Sequence, residues 1–200
     1  KGRGQNYYTK VPLNANFFQF RRVYLGYDYN ISQKFSAEFI LAAEDDFAGG
    51  VMPGTGDVLA NNKFAPFVKQ ANIRWKNIWK RTDLVFGQSN TPTFAKNGSG
   101  MASEEVWGYR SIERTITDIR RNSSYDFGLT LMGKIDKKEN FGYVLMVANG
   151  TGAKPETDQY KMFYGDVWAK FLDKKLIVDI SQDYAKLHWG VAVAGPQGKW

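Results

Sequence analysis

One feature limits the folds open to this chain more than any other: apolar side chains recur at every second residue, in segment after segment. In the first run Val23, Leu25, Tyr27, Tyr29 and Ile31 alternate with Arg22, Tyr24, Gly26, Asp28 and Asn30. A second sets Phe35, Ala37, Phe39, Leu41 and Ala43 against Ser36, Glu38 and Glu44. A third sets Ala71, Ile73 and Trp75 against Gln70, Asn72, Arg74 and Lys76, and ends at a turn expected near residues 77–80. Leu84 and Phe86 mark a fourth, Phe127, Leu129 and Leu131 a fifth, and Phe141, Tyr143, Leu145 and Val147 a sixth. Phe163, Val167, Ala169 and Phe171 form a seventh, and Leu176, Val178, Ile180 and Tyr184 an eighth. Period 2 is the signature of strands with two unlike faces. About eight or nine strands are expected, the ninth near residues 188–194.

The connections alternate as regularly as the side chains. Short ones fall near residues 32–34, 77–80, 135–140 and 172–174, and long ones near 45–67, 89–125 and 149–159. Transmembrane β-barrels show this alternation of tight turns and long loops. Closure of the sheet also leaves no backbone group unpaired in lipid. The expected fold class is therefore all-β, an antiparallel transmembrane β-barrel in one domain over residues 1–200. No apolar run is long enough for a membrane-spanning helix, and a mean hydropathy of −0.45 is compatible with strands that are apolar on one side only. The aromatics that open or close the apolar face (Tyr27, Tyr29, Phe35, Trp75, Phe141, Phe171 and Tyr184) read as interfacial girdles or as ordinary β-propensity. Period alone does not say which face meets water. In a soluble barrel or sandwich that binds a small ligand, the apolar face is the core. In a porin it meets lipid, and Arg22, Asp28, Glu38, Arg74, Lys76, Asp126, Asp166, Lys170, Asp179 and Asp183 line the inside.

Composition narrows the chemistry. With no Cys among 200 residues, disulfide scaffolds, cysteine-ligated metals and cysteine nucleophiles are excluded, and the single His188 excludes multi-histidine metal sites. Glu44-Asp45-Asp46 reads as solvated loop rather than a calcium site, and Gly54-Thr55-Gly56 lacks the Lys of a phosphate-binding loop. No enzyme, cofactor or metal is expected. The formal charge of +7 is spread through strands and turns, not gathered in one stripe, so nucleic acid is not an expected partner. Lys1 opens the chain without Met or a signal-peptide pattern, which reads as a removed leader or a fragment.

An ordered set of short motifs adds a resemblance. Leu84-Val85-Phe86-Gly87-Gln88, Thr91-Pro92, residues 107–114 (Trp107-Gly108-Tyr109-Arg110-Ser111-Ile112-Glu113-Arg114) and Tyr125-Asp126-Phe127-Gly128 follow one another in that order. With Arg21-Arg22-Val23-Tyr24-Leu25-Gly26-Tyr27 and Asn149-Gly150-Thr151-Gly152, they resemble the phosphate-selective porin O/P-like barrels, in the variety found in Bacteroidetes. The resemblance spans roughly residues 17–187. It implies an outer-membrane porin, a sixteen-stranded trimeric barrel of which this chain would be the N-terminal half. It also implies a bacterial outer-membrane location, lipid and small hydrophilic or anionic solutes as partners, and phosphate as a candidate solute. Arg110, Arg114, Arg120 and Arg121, on the long 89–125 segment, are the first candidates for a solute-facing cluster, since guanidinium groups bind anions through paired N–H donors. Arg22, Arg74 and Lys76 are further candidate pore-lining residues. Pairing of the loop arginines with Glu105, Glu113 and Asp118 is the competing reading, and a plugged or structural barrel within a larger envelope assembly is the competing function.

Overall fold

The computed structural model describes residues 22–44, 66–92, 124–152, 155–156 and 159–185. They form one eight-stranded antiparallel sheet in which each strand pairs with the next in sequence: β1 (Arg22–Asn30), β2 (Phe35–Glu44), β3 (Phe67–Trp79), β4 (Thr82–Asn90), β5 (Tyr125–Lys134), β6 (Phe141–Ala148), β7 (Met162–Phe171) and β8 (Leu176–Ala185). The strand count matches the eight alternating runs. The sheet is open: among the described residues β1 and β8 are edges and do not pair with each other. The expected closure into a barrel is therefore not formed by these eight strands. The segment near 188–194, expected as a ninth strand, lies outside the described residues.

Register fixes the faces. One row runs Arg74, Val85, Thr130, Met146, Tyr164, Asp183 across β3 to β8. The adjacent row, on the opposite face, runs Ile73, Phe86, Leu129, Val147, Phe163, Tyr184. The two faces differ sharply in exposure. Along β6, Val144 is 0% and Met146 1% exposed, while Leu145 and Val147 are 51% and 42% exposed. The apolar row is the open one, and the mixed polar row is sheltered from β4 to β7, where Val85, Thr130, Met146 and Tyr164 are buried, while Arg74 at its β3 end is exposed. All the aromatics expected as girdles lie on the open face. Several are in contact across strands: Phe35 with Trp75, Phe86 with Phe127, Phe141 with Phe171, and Phe163 with Tyr184. Such cross-strand pairs add to sheet stability beyond the ladder itself.

Two irregularities set the sheet's course. Between Ile40 and Leu41 the register with β3 shifts, leaving Lys69 as the extra residue of a bulge. The Gln88 amide satisfies the carbonyls this exposes, donating to Val68 O at 2.7 Å and Lys69 O at 3.0 Å. The second corrects the expected turn near 77–80. β3 continues to Trp79, Asn77 takes a left-handed conformation inside it (φ 51°), and the chain reverses at Lys80-Arg81. Asp83 holds this kink by accepting from the Asn77 N–H at 2.7 Å.

The remaining turns are tied by their own side chains. Ser32 Oγ accepts from the N–H groups of Lys34 and Phe35. Asp136 Oδ1 accepts from Asn140 N (2.8 Å) and Phe141 N (2.9 Å). Arg81 reaches the neighbouring turn, donating to Lys134 O and Ile135 O.

Gly87 requires glycine. Its φ is 123°, and a Cβ there would collide with the carbonyl oxygen of Ala71 on β3. Gly87→Ala is expected to destabilise the fold by about 2 kcal/mol or more, read as a lower denaturant midpoint by tryptophan fluorescence. Asp136 gives a pH test. Desolvation within the turn pushes its carboxyl up, but the N–H donors of Phe141 and Asn140 outweigh this and hold it below 3.8. A depressed pKa means that the carboxylate supports the turn above about pH 4 and is lost as pH falls through the lowered value. Amide-exchange protection at Asn140 and Phe141 should fall on acidification, and Asp136→Asn should abolish that pH dependence.

Candidate functional site

The sheltered face is the candidate site, because it gathers the hydrogen-bonding and charged side chains on one surface. Strand alternation alone puts them there. On β2 to β4 the contacts are polar and continuous. Asn72 Nδ2 donates to Glu38 Oε2 at 3.0 Å and to Gln88 O at 3.2 Å. Gln70 is buried between Glu38 and Asn90. With its amide nitrogen toward Glu38 it donates to Oε1 at 2.7 Å, while its oxygen accepts from Asn90 Nδ2 at 2.7 Å.

On β5 to β8 the centre is Asp126, fully buried. Its Oδ2 accepts from the Tyr164 hydroxyl at 2.8 Å and from Gly150 N at 2.7 Å, and its Oδ1 accepts from Phe127 N at 2.8 Å. One carboxylate thus ties β5, β7 and the start of the β6–β7 connection. Gly150 and Gly152 there are left-handed (φ 84° and 64°), so the backbone can turn its N–H groups toward the acid. Further along, Ser181 Oγ donates to Asp166 Oδ1 at 2.7 Å. Trp168 lies across Gly142, its partner on β6, where any Cβ would fall inside the indole ring. The indole N–H of Trp168 is buried without a hydrogen-bond partner in the structure, and Lys170 Nζ stands 4.7 Å from the ring centroid. Among the described residues no group of three or more acidic or His side chains is placed to hold a metal ion.

The expected site residues fall into three groups. Arg74 and Lys76 lie on β3 within this polar set. Arg74 donates through Nε to Asp83 Oδ2 at 2.7 Å and forms an ion pair with it through Nη2, and Lys76 Nζ donates to Asn30 Oδ1 at 2.7 Å. The cations are therefore engaged by neighbouring side chains. Arg22 belongs to β1, opposite Glu44, and its side chain lies outside the described ones. Arg110, Arg114, Arg120 and Arg121 lie outside the described residues, as do His188, residues 45–46 and 54–56, and Glu104 to Asp118. The structure brings forward groups that the sequence reading did not rank as a site: Asp126 with Tyr164, the Gln70–Glu38–Asn72 set, and Trp168 over Gly142. Parity within the strands already placed Asp126 and Glu38 on the polar face. Nothing in the sequence signals the register that sets particular side chains opposite them.

A groove on the open face, about 470 Å³ in volume and lined by residues that include Leu129, Leu131, Leu145, Phe163, Gly165 and Gln182, is apolar and shallow. It suits hydrocarbon better than a hydrophilic solute. In comparisons with known proteins, no family model, no curated protein and no solved structure matches the chain.

The Asp126 contacts carry a graded prediction. Asp126→Asn is expected to cost about 1–3 kcal/mol and to speed proteolytic cleavage in the 149–161 connection, since an amide cannot accept all three donors. Tyr164→Phe removes one donor only, and is expected to cost about 0.5–1.5 kcal/mol with the cleavage rate nearly unchanged.

Proposed function

We propose that this chain forms part of the wall of a bacterial outer-membrane porin, through which small hydrophilic solutes diffuse passively. The observation that carries the reading is the inverted partition of the sheet: large apolar side chains fill the open face, and Asp126, Gln70, Thr130 and Asp166 are buried on the other. In water such a contiguous apolar face would be costly at roughly 25 cal/mol per Å². Against hydrocarbon it is the favourable arrangement, with the polar face turned inward. The strands run from 8 to 13 residues, which suits tilted transmembrane strands of about 9–11. The two open edges support a larger barrel. Eight strands closed on themselves would be filled by their own side chains, so a solute path needs more, and the proposed barrel has sixteen. The porin works by geometry and charge, with no cofactor and no catalytic residue, as a homotrimer in the outer membrane.

Arg74 and Lys76 are the proposed cationic lining of the described wall, and Arg110, Arg114, Arg120 and Arg121 its continuation. Anionic solutes such as phosphate are the proposed charged cargo. Asp83, Asp126, Asp166, Asp179 and Asp183 share the same polar face, so a broad preference for small polar solutes fits better than strict anion selection. A second reading, a barrel packed by its own side chains, is favoured by the near-zero exposure of Val144, Met146, Asp126 and Thr130.

Reconstitution of the full-length protein in a planar bilayer separates the two. Stepwise conductance with an anion-favouring reversal potential in a salt gradient is expected for the porin, and silent insertion for the packed barrel. Leu145→Arg tests the membrane assignment itself. On a lipid-facing position it should cost about 2–4 kcal/mol in folding into bilayers. On a water-facing surface the same change should fall within about 0.5 kcal/mol of neutral.

A further inference from the structure

We propose that the short-turn end of the sheet is a docking surface for anionic phospholipid headgroups, anchoring the barrel in the leaflet on that side. The inference rests on the membrane reading above. An antiparallel meander puts the β1–β2, β3–β4, β5–β6 and β7–β8 turns at one end. Every one of these turns carries exposed lysine: Lys34; Lys80; Lys137 and Lys138; Lys174 and Lys175. Two acids of the same turns are taken up elsewhere, while the exposed Asp173 stays beside Lys174 and Lys175 in the β7–β8 turn. Asp136 is occupied by backbone N–H groups, and Glu139 pairs with Lys134. The six lysines make no ion pair among the described residues.

The surroundings match a membrane interface. Immediately inside the turns the open face carries Phe35 against Trp75, Phe141 against Phe171, and Trp79. Tyr143 lies over Gly133 on this face, and its hydroxyl shares a hydrogen bond with Thr82 Oγ1 at 3.2 Å. An aromatic layer bordered by lysines is what the headgroup region selects. Rings sit at the boundary, alkyl stems follow the apolar surface, and ammonium groups reach the phosphates. Local contacts and backbone conformation shape the turns. Arg81 bridges two of them, and Leu172, Asp173 and Lys174 are all held left-handed. A lipid surface is favoured over a soluble anion because the lysines are spread over four separate turns beside outward-facing aromatics, rather than converging on one point.

The test uses the full-length protein in vesicles containing either brominated phosphatidylcholine or brominated phosphatidylglycerol, with quenching of tryptophan fluorescence as the readout. The expected result is a relative association constant about fivefold in favour of phosphatidylglycerol at low salt, falling toward unity at about 0.5 M salt. The Lys137→Gln, Lys138→Gln, Lys174→Gln, Lys175→Gln variant should bind the two lipids equally, with unchanged quenching by brominated phosphatidylcholine as its control for folding. Equal quenching by the two lipids in the unmodified protein overturns the proposal and leaves the membrane reading standing. So does a preference that survives in the variant. A preference abolished by inorganic phosphate at constant ionic strength also overturns it, by assigning the lysines to a free anion. Quenching by neither lipid overturns the membrane reading, and the docking surface with it.

Discussion

The structure depends on an antiparallel ladder, interrupted at the Lys69 bulge and the Asn77 kink, in which each strand pairs only with its sequence neighbours. That ladder satisfies the backbone within a single layer, so no second sheet or helix is needed among the described residues to cover either face. Everything else follows from what the two faces are then made of. An ordinary sheet hides its apolar face and wets its polar one. Here the polar face is sheltered and the apolar one is open, so the usual hydrophobic driving force cannot act between layers of the protein. In the proposed porin, surrounding hydrocarbon stabilises the open face, while the ladder and the polar contacts hold the sheet's form.

On the sheltered face polar contacts act beside a small apolar cluster of Met146, Ala148, Met162 and Tyr164. Asp126 gathers three donors from three parts of the chain, and Gln88 fills the gap that the Lys69 bulge leaves in the ladder. Buried polar groups are costly unless paired, so each of these contacts also fixes register. Glycine has a matching role. Gly87 and Gly128 allow close approach of neighbouring strands, and Gly142 makes room for Trp168. Bulky and absent side chains therefore alternate across strands, which lets a single layer pack closely on its sheltered side.

The two ends of the sheet have different tasks. The short turns are internally capped, carry lysine throughout and border an aromatic layer. At the opposite end the long connections leave and return, and the Asp126 carboxylate secures one of them at its root. Antiparallel geometry enforces this division, because even and odd connections must emerge on opposite sides.

The sequence by itself determined the strand class, the number of strands within the described residues, the alternation of short and long connections, and which side chains share a face. Those features are local: period 2 and turn chemistry are set by neighbours a few residues apart. It located the reversal after β3 slightly early, because Asn77 favours a turn on its own, while pairing of Trp79 with Thr82 carries the strand past it. Only the tertiary structure decided which face is sheltered, since an alternating pattern reads the same in a soluble sheet and in its inverted counterpart. Only the register between strands brought Tyr164 and Gly150 to Asp126 and Trp168 over Gly142. These partners lie up to 38 residues apart, and no short-range spacing encodes their meeting.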